Sequence, residues 1–369
     1  MRIAMLAPLI EAIPPPLYGG TERVVSVLTE ELVRREHEVT LFASADSHTS
    51  AKLVEVCPRG LRLDAKGHDA VAHTMIQLRD VYRRAAEFDI IHNHLDHVAF
   101  PFARLAATPT VTTTHGRLDG PEVEYLYGRF PEQRLISISA AQRLPLPEAN
   151  WVGTVYNGID LSHFHFNPRQ GDYLVFLGRI SPEKRPDRAI EIAREVGMRL
   201  VIAAKVDPVD EAYYEHEIAP LIRDCALVEY IGEVNEAEKD QLLGGAYAYL
   251  FPIDWPEPFG LTMAEAMATG TPVVAFRAGS VPEVLVDGVT GFICGTLREM
   301  VEAVPRVALL DRGACRRHVE ERFSAQAMAD GYECVYRAVI EASTTRLAPT
   351  LVDPLMGVSV QRVRIATRV

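Results

Sequence analysis

Asp254-Trp255-Pro256-Glu257-Pro258-Phe259-Gly260-Leu261-Thr262-Met263-Ala264-Glu265-Ala266-Met267-Ala268-Thr269-Gly270-Thr271-Pro272-Val273-Val274 is the most informative stretch of the chain. Two carboxylates, Glu257 and Glu265, stand in an otherwise apolar run that leads into a buried strand. If Gly260 or Leu261 opens a helix, Glu257 lies just before it and Glu265 inside it, about two turns on. The backbone N–H groups of Phe259, Gly260 and Leu261 then form a helix N-terminus suited to an anion or a hydroxyl. Gly260 lets a ligand approach the backbone closely. On a solvated helix face such a pair would mean little; at a strand end in apolar surroundings it marks a candidate site.

A second segment goes with it: Phe176-Leu177-Gly178-Arg179-Ile180-Ser181-Pro182-Glu183-Lys184-Arg185-Pro186. Gly178 ends a buried strand, and Arg179 and Lys184 fall in the loop before the next helix. A guanidinium fork and an ammonium point charge suit a diphosphate, although an exposed basic loop would read the same way in isolation. Neither a Gly-x4-Gly-Lys-Ser/Thr nor a Gly-x-Gly-x-x-Gly motif is present, so nucleoside-triphosphatase and classical NAD-binding readings lose their main support.

Outward from these segments, short apolar runs alternate with amphipathic ones. The first half predicts strands at Ile3–Ala7, Val39–Ala43, Ile90–His92, Thr110–Thr114 and Leu135–Ser137, with helices at Thr21–Arg35 and Val71–Glu87. The second half predicts strands at Tyr173–Leu177, Leu200–Ala203, Val228–Ile231, Tyr249–Phe251, Val273–Phe276 and Phe292–Cys294. Helices are expected at Pro186–Val196, Glu211–Arg223, Glu236–Leu243, Leu261–Ala268 and Leu297–Leu310. Such alternation predicts an α/β chain with two facing, doubly wound, Rossmann-like parallel-sheet domains, with ligands at the strand C-termini. The division expected is 1–165, 166–324, a helix over 325–345 that packs back on the first domain, and a poorly ordered tail over 346–369.

The 369 residues carry 38 Lys and Arg against 50 Asp and Glu, a net charge of −12. That balance argues against a nucleic-acid partner. Five cysteines without a Cys-x-x-Cys pair point to reduced thiols and a cytoplasmic protein. Pro8 and Glu11 interrupt the apolar start, which reads as a first strand rather than a signal peptide. The cluster His92-Asn93-His94-Leu95-Asp96-His97 imitates a hydrolase zinc motif. The further ligands and strand-rich layers that such a site requires are not evident, so these residues are read as a strand end followed by a helix start.

Taken together, the motifs resemble the family-4 retaining glycosyltransferases of GT-B fold, in order and almost to Ala342. They include Tyr18-Gly19-Gly20-Thr21-Glu22, His37-Glu38-Val39, Asp89-Ile90-Ile91-His92-Asn93-His94, Thr114-His115-Gly116, Asn157-Gly158-Ile159-Asp160 and the two segments above. The resemblance implies transfer of a hexose-type sugar, with retention, from a nucleotide-sugar to an acceptor hydroxyl, without metal or cofactor. A UDP-sugar donor is favoured, and GDP- or ADP-sugars stay open. The acceptor is a sugar, a lipid-linked or a small molecule; peripheral membrane contact and oligomeric state are left open. By the same resemblance Arg179 and Lys184 neutralise the diphosphate, Glu265 accepts from the ribose, and Glu257 lies by the sugar. The Phe259, Gly260 and Leu261 amides bind sugar hydroxyls and phosphate, Gly19 and Gly20 approach the diphosphate, and His115 sits near the reacting carbon or a sugar hydroxyl. Glu283 is left outside the site. An epimerase or phosphorylase-like enzyme on the same fold is the alternative. The chain departs from the common pattern at Glu36 and Arg185, where relatives often have glycine, and in Asp254 and Trp255 before Glu257.

Overall fold

A computed structural model describes residues 1–17, 19–63 and 69–347. Most of the tail expected to be poorly ordered, and Tyr18 of the glycine motif, lie outside the described residues. Among the described residues, thirteen strands form two sheets. The first holds β1 (Arg2–Leu6), β2 (Glu38–Ser44), β3 (Lys52–Cys57), β4 (Ile90–Asn93), β5 (Thr110–Thr113), β6 (Arg134–Ser137) and β7 (Trp151–Thr154). The second holds β8 (Tyr173–Arg179), β9 (Arg199–Lys205), β10 (Val228–Gly232), β11 (Ala248–Phe251), β12 (Val273–Phe276) and β13 (Gly291–Cys294). The orders are β3-β2-β1-β4-β5-β6-β7 and β10-β9-β8-β11-β12-β13. Every pairing is parallel. The expected doubly wound α/β architecture is therefore present twice.

In each sheet the chain changes direction once, between β1 and β4 and between β8 and β11. At such switch points the flanking helices lie on opposite faces and a crevice opens beyond the strand C-termini. The helix Gly20–Arg34 buries Val24, Val25, Leu28 and Leu32 on one face against β1 and β2 residues such as Ile3, Met5 and Leu41. The i, i+4, i+8 spacing of its apolar residues makes that face.

The helix Ala325–Leu347 returns to the first sheet. Met328, Tyr332, Val335, Tyr336 and Val339 recur at helical spacing and join the same core. Arg35 straps the two helices, with its guanidinium on Glu31 at 2.8 Å and Asp330 at 2.6 Å. Arg34 pairs with the same Glu31 at 2.6 Å. Among the described residues no helix is long and apolar enough to cross a membrane.

Local differences from the sequence reading have physical causes. The helix expected over Leu297–Leu310 divides into an α-helix, Leu297–Ala303, and a 3-10 segment, Val304–Leu309. Pro305 lacks the N–H the α-helical ladder needs there. The stretch Glu211–Arg223 is interrupted by a π-helical segment at Tyr214–Ile218.

Candidate active site

The C-terminal ends of the two sheets face one cleft of about 490 Å3. All ten residues singled out from the sequence line it: Gly19, Gly20, His115, Arg179, Lys184, Glu257, Phe259, Gly260, Leu261 and Glu265. Gly19 and Gly20 follow β1, His115 follows β5, Arg179 ends β8, and Glu257 follows β11. The site is thus built at the two switch points.

Glu257 is fixed from three sides. Its carboxylate accepts from the Lys184 ammonium and, at 2.9 Å, from the Trp255 indole N–H. Its backbone carbonyl accepts from the Ser280 N–H at 2.9 Å. Gly279, at φ +52°, lies so close that a β-carbon there would sit 2.3 Å from the Glu257 backbone. The Trp255 ring carries Lys184 Nζ 4.6 Å from its centroid and the Arg117 guanidinium of the first domain at 5.5 Å. Both fall within cation–π range.

Gly260 caps the helix Leu261–Ala268 at φ +79°, with no side-chain cap among the described residues. A side chain there would meet both the left-handed backbone and Met263 Cε at 2.6 Å. Gly260, Leu261 and Thr262 line the cleft, so the positive end of the helix dipole lies at it. Glu265, in the second turn, is buried and accepts from Lys239 Nζ at 2.6 Å. Lys239 also pairs with Glu236 at 2.6 Å.

Arg179 is enclosed by carboxylates: it pairs with Glu183, with Asp207 at 3.6 Å and with Asp210 at 3.4 Å. Lys205 also pairs with Asp207, at 2.8 Å. Arg185 does not add a cation to the cleft as a free group. Its guanidinium is held by Asp187 at 2.7 Å and by Asp254 at 2.9 Å.

On the first domain, His92 and His94 of the zinc-like cluster are engaged with protein groups. His92 bonds Thr113 Oγ1 at 2.8 Å and Tyr336 OH at 2.7 Å. His94 Nε2 faces Met5 Sδ at 3.1 Å, and His94 Nδ1 meets His115 Nε2 at 2.8 Å. Burial pushes all three imidazoles down, His115 to about 4, so they are neutral at pH 7. A thioether sulfur can only accept, so His94 carries its proton on Nε2. His94 Nδ1 is then bare, His115 donates Nε2–H to it, and His115 Nδ1 is left as an acceptor. Among the described residues no group of three or more His, Cys, Asp or Glu side chains is placed to hold a metal ion.

Several cleft residues were not singled out from the sequence. Glu11, Glu22, Arg62, Lys205 and Lys239 all line the cleft. Glu22 stood within the glycine motif and could have been taken up from it; the others carry no local signal. Glu283 joins the two domains away from the cleft lining: its carboxylate accepts from the Ala140 and Ala141 N–H groups at 2.7 and 2.8 Å and from Tyr156 OH at 3.0 Å. Arg23 crosses to Glu236 at 3.2 Å.

Two family models match end to end: Glycosyltransferase Family 4 over residues 18–163 and Glycosyl transferases group 1 over 161–320. The chain is 26% identical over 402 aligned residues to the glycogen synthase of Mycobacterium tuberculosis, covering 92% of this chain and 95% of that protein. It is 28% identical over 328 to the phosphatidyl-myo-inositol mannosyltransferase of Mycolicibacterium smegmatis, covering 79% and 80%. Among solved structures, Anabaena HepE in complex with UDP and glucose superposes with a TM-score of 0.70 at 18% identity, covering 92% of this chain and all of that one. With two doubly wound parallel sheets, the chain is a GT-B glycosyltransferase that joins a family-4 domain to a group-1 domain.

Proposed function

We propose that this enzyme moves a hexose from a nucleotide-sugar, most favourably a UDP-sugar, to an acceptor hydroxyl with retention of anomeric configuration. The observation that carries the reading is the meeting of Arg179, Lys184, Glu257, Glu265 and the Gly260-capped helix in one cleft at both switch points. HepE, a protein of the same fold, is described with UDP and glucose, which supports a UDP-sugar here. GDP- and ADP-sugars remain within the class.

In this reading the diphosphate enters between Gly19-Gly20 and the Arg179–Lys184 loop. It takes the place of the carboxylates that now hold Arg179 and Lys184. Those cations, with the Phe259, Gly260 and Leu261 amides, stabilise the charge that develops on the leaving nucleoside diphosphate. Glu265, held on one oxygen by Lys239, accepts from the ribose hydroxyls. Glu257 and His115 accept from hydroxyls of the sugar. The bond from the anomeric carbon to the diphosphate oxygen breaks, the acceptor oxygen bonds to that carbon on the same face, and the acceptor proton passes to the leaving phosphate.

We assign residues 1–165 to the acceptor side and 166–324 to the donor side, with 325–345 returning to the first domain. The five scattered cysteines support a cytoplasmic enzyme. The test is incubation with UDP-, GDP- and ADP-hexoses and a panel of sugar, lipid-linked and small-molecule acceptors, read by mass spectrometry and by the anomeric proton coupling of the product. A product that keeps the donor's anomeric configuration is expected. An inverted linkage, or turnover only in the presence of inorganic phosphate, overturns the reading.

A further inference from the structure

We infer that Glu11, Glu22 and Arg62, on the first-domain wall of the cleft, form the subsite for a neutral polyhydroxylated acceptor, a sugar or polyol without a phosphate. The inference rests on the donor reading above and names the substrate class of the facing wall.

The wall is built by the backbone. The segment after β1 pairs with the segment after β3, Leu61 N–H to Leu9 O and Arg62 N–H to Ile10 O, both at 2.9 Å. That pairing sets the Arg62 guanidinium on Glu11 Oε1. Glu11 is only 3% exposed, yet its second oxygen, Oε2, is buried without a hydrogen-bond partner among the described residues. Glu22, in the first turn of the helix Gly20–Arg34, is 7% exposed. Its Oε2 would lie 3.2 Å from a β-carbon on Gly19, so it stands beside the glycine pair assigned to the diphosphate. Burial pushes the Glu22 carboxyl up, Glu11 adds to that rise, and Arg62 and Lys205 oppose it.

None of the three has a role in donor binding as described. A buried carboxylate oxygen without a donor is a poor arrangement for protein alone and a good one for an incoming O–H. Two carboxylates in one wall offer several acceptor oxygens to a molecule that carries several hydroxyls, and Arg62 can donate to its oxygens. The same wall disfavours a phosphate: two carboxylates against one guanidinium leave it net negative, in surroundings where charges interact more strongly than in water.

The experiment uses the full chain and four acceptor probes with the donor it turns over. Glucose and myo-inositol are the neutral pair; glucose 6-phosphate and myo-inositol 1-phosphate are the anionic pair. A neutral probe is expected to exceed its phosphorylated counterpart at least about tenfold in kcat/KM. Glu11→Gln and Glu22→Gln are expected to raise the acceptor KM at least about fivefold, with the donor KM and the melting shift given by the nucleoside diphosphate within about twofold of the parent. Preference for a phosphorylated probe, no transfer to either neutral probe, or an acceptor KM unchanged in both variants overturns the inference. Failure of the donor reading is separate: no nucleoside diphosphate then shifts the melting temperature of the unaltered protein.

Discussion

Glu265→Gln tests the link between the buried ion pair and nucleotide binding. Glu265 and Lys239 are both buried, and Lys239 keeps a second partner in Glu236. Breaking a buried pair that leaves an uncompensated charge costs about 3–5 kcal/mol. With Glu236 still in place, we expect roughly half, about 2 kcal/mol. That corresponds to a fall of about 4–8 °C in the melting temperature of a domain this size. Replacing the charged acceptor by a neutral amide turns a hydrogen bond worth about 1.5–3 kcal/mol into one worth about 0.5–1.5, so the nucleoside diphosphate binds about 1–1.5 kcal/mol, or roughly 5–12-fold, more weakly. The assay is calorimetric titration of parent and variant with UDP and with 2′,3′-dideoxy-UDP. If Glu265 receives the ribose, the variant's penalty is large for UDP and nearly vanishes for the dideoxy nucleotide. An equal penalty for both nucleotides would refute the reasoning, because it would show only a distorted domain.

Three further expectations follow from particular contacts. Gly279→Ala and Gly288→Ala both place a β-carbon at positive φ, +52° and +72°, a strain of roughly 1–2 kcal/mol each. Only the first also strikes the Glu257 backbone, so turnover should fall in Gly279→Ala and hold in Gly288→Ala; equal turnover in the two would remove Glu257 from the mechanism. Nitrogen NMR of the histidines should show His115 protonated on Nε2 and bare on Nδ1 at pH 7, with the reverse pattern contradicting the role given to Met5.

Stability should fall as pH drops from about 6.5 toward 4. His92, His94 and His115 have folded-state pKa values below their unfolded ones, so the unfolded chain binds protons first and each group removes up to about 1.4 kcal/mol per pH unit in that window. Asp96, raised to about 6 by burial, and Glu22, raised in the same direction, act with the opposite sign. His97 and His318 are lowered by burial and Asp210 is raised by it as well, so five histidines outweigh three carboxyls; denaturant unfolding that is unchanged between pH 7 and 5 would contradict this balance.

The sequence made the buried parts of the fold legible. β1, β2, β4, β5 and β6 are buried along most of their length, β5 through threonines as well as Val111, and were all anticipated, whereas β3 and β7 were missed. Those two are the edges of the first sheet, where half-exposed residues dilute the apolar pattern. The helix Arg312–Arg322 was missed for a related reason: it is mostly charged and buries little beyond Arg312, Cys315 and Val319. The two departures from the family's glycines are informative. Glu36 and Arg185 sit at φ 64° and 54°, so the left-handed backbone is retained without the glycine that usually supplies it. At the site, motif order brought the ten residues to one cleft. The pairing of Lys184 with Glu257 and of Lys239 with Glu265 was not legible, because partners 73 and 26 positions apart meet only through the sheet order. The carboxylate shell of Arg179 was hidden likewise, since Asp207 and Asp210 follow a different strand.

The most direct test of a nucleotide-sugar site in this cleft is thermal unfolding of the purified chain with UDP, GDP and ADP, each at about a hundred times a micromolar dissociation constant. One of them should stabilise the protein by about 2.7 kcal/mol, and Lys184→Ala should remove most of that gain. No stabilisation by any of the three would contradict the account.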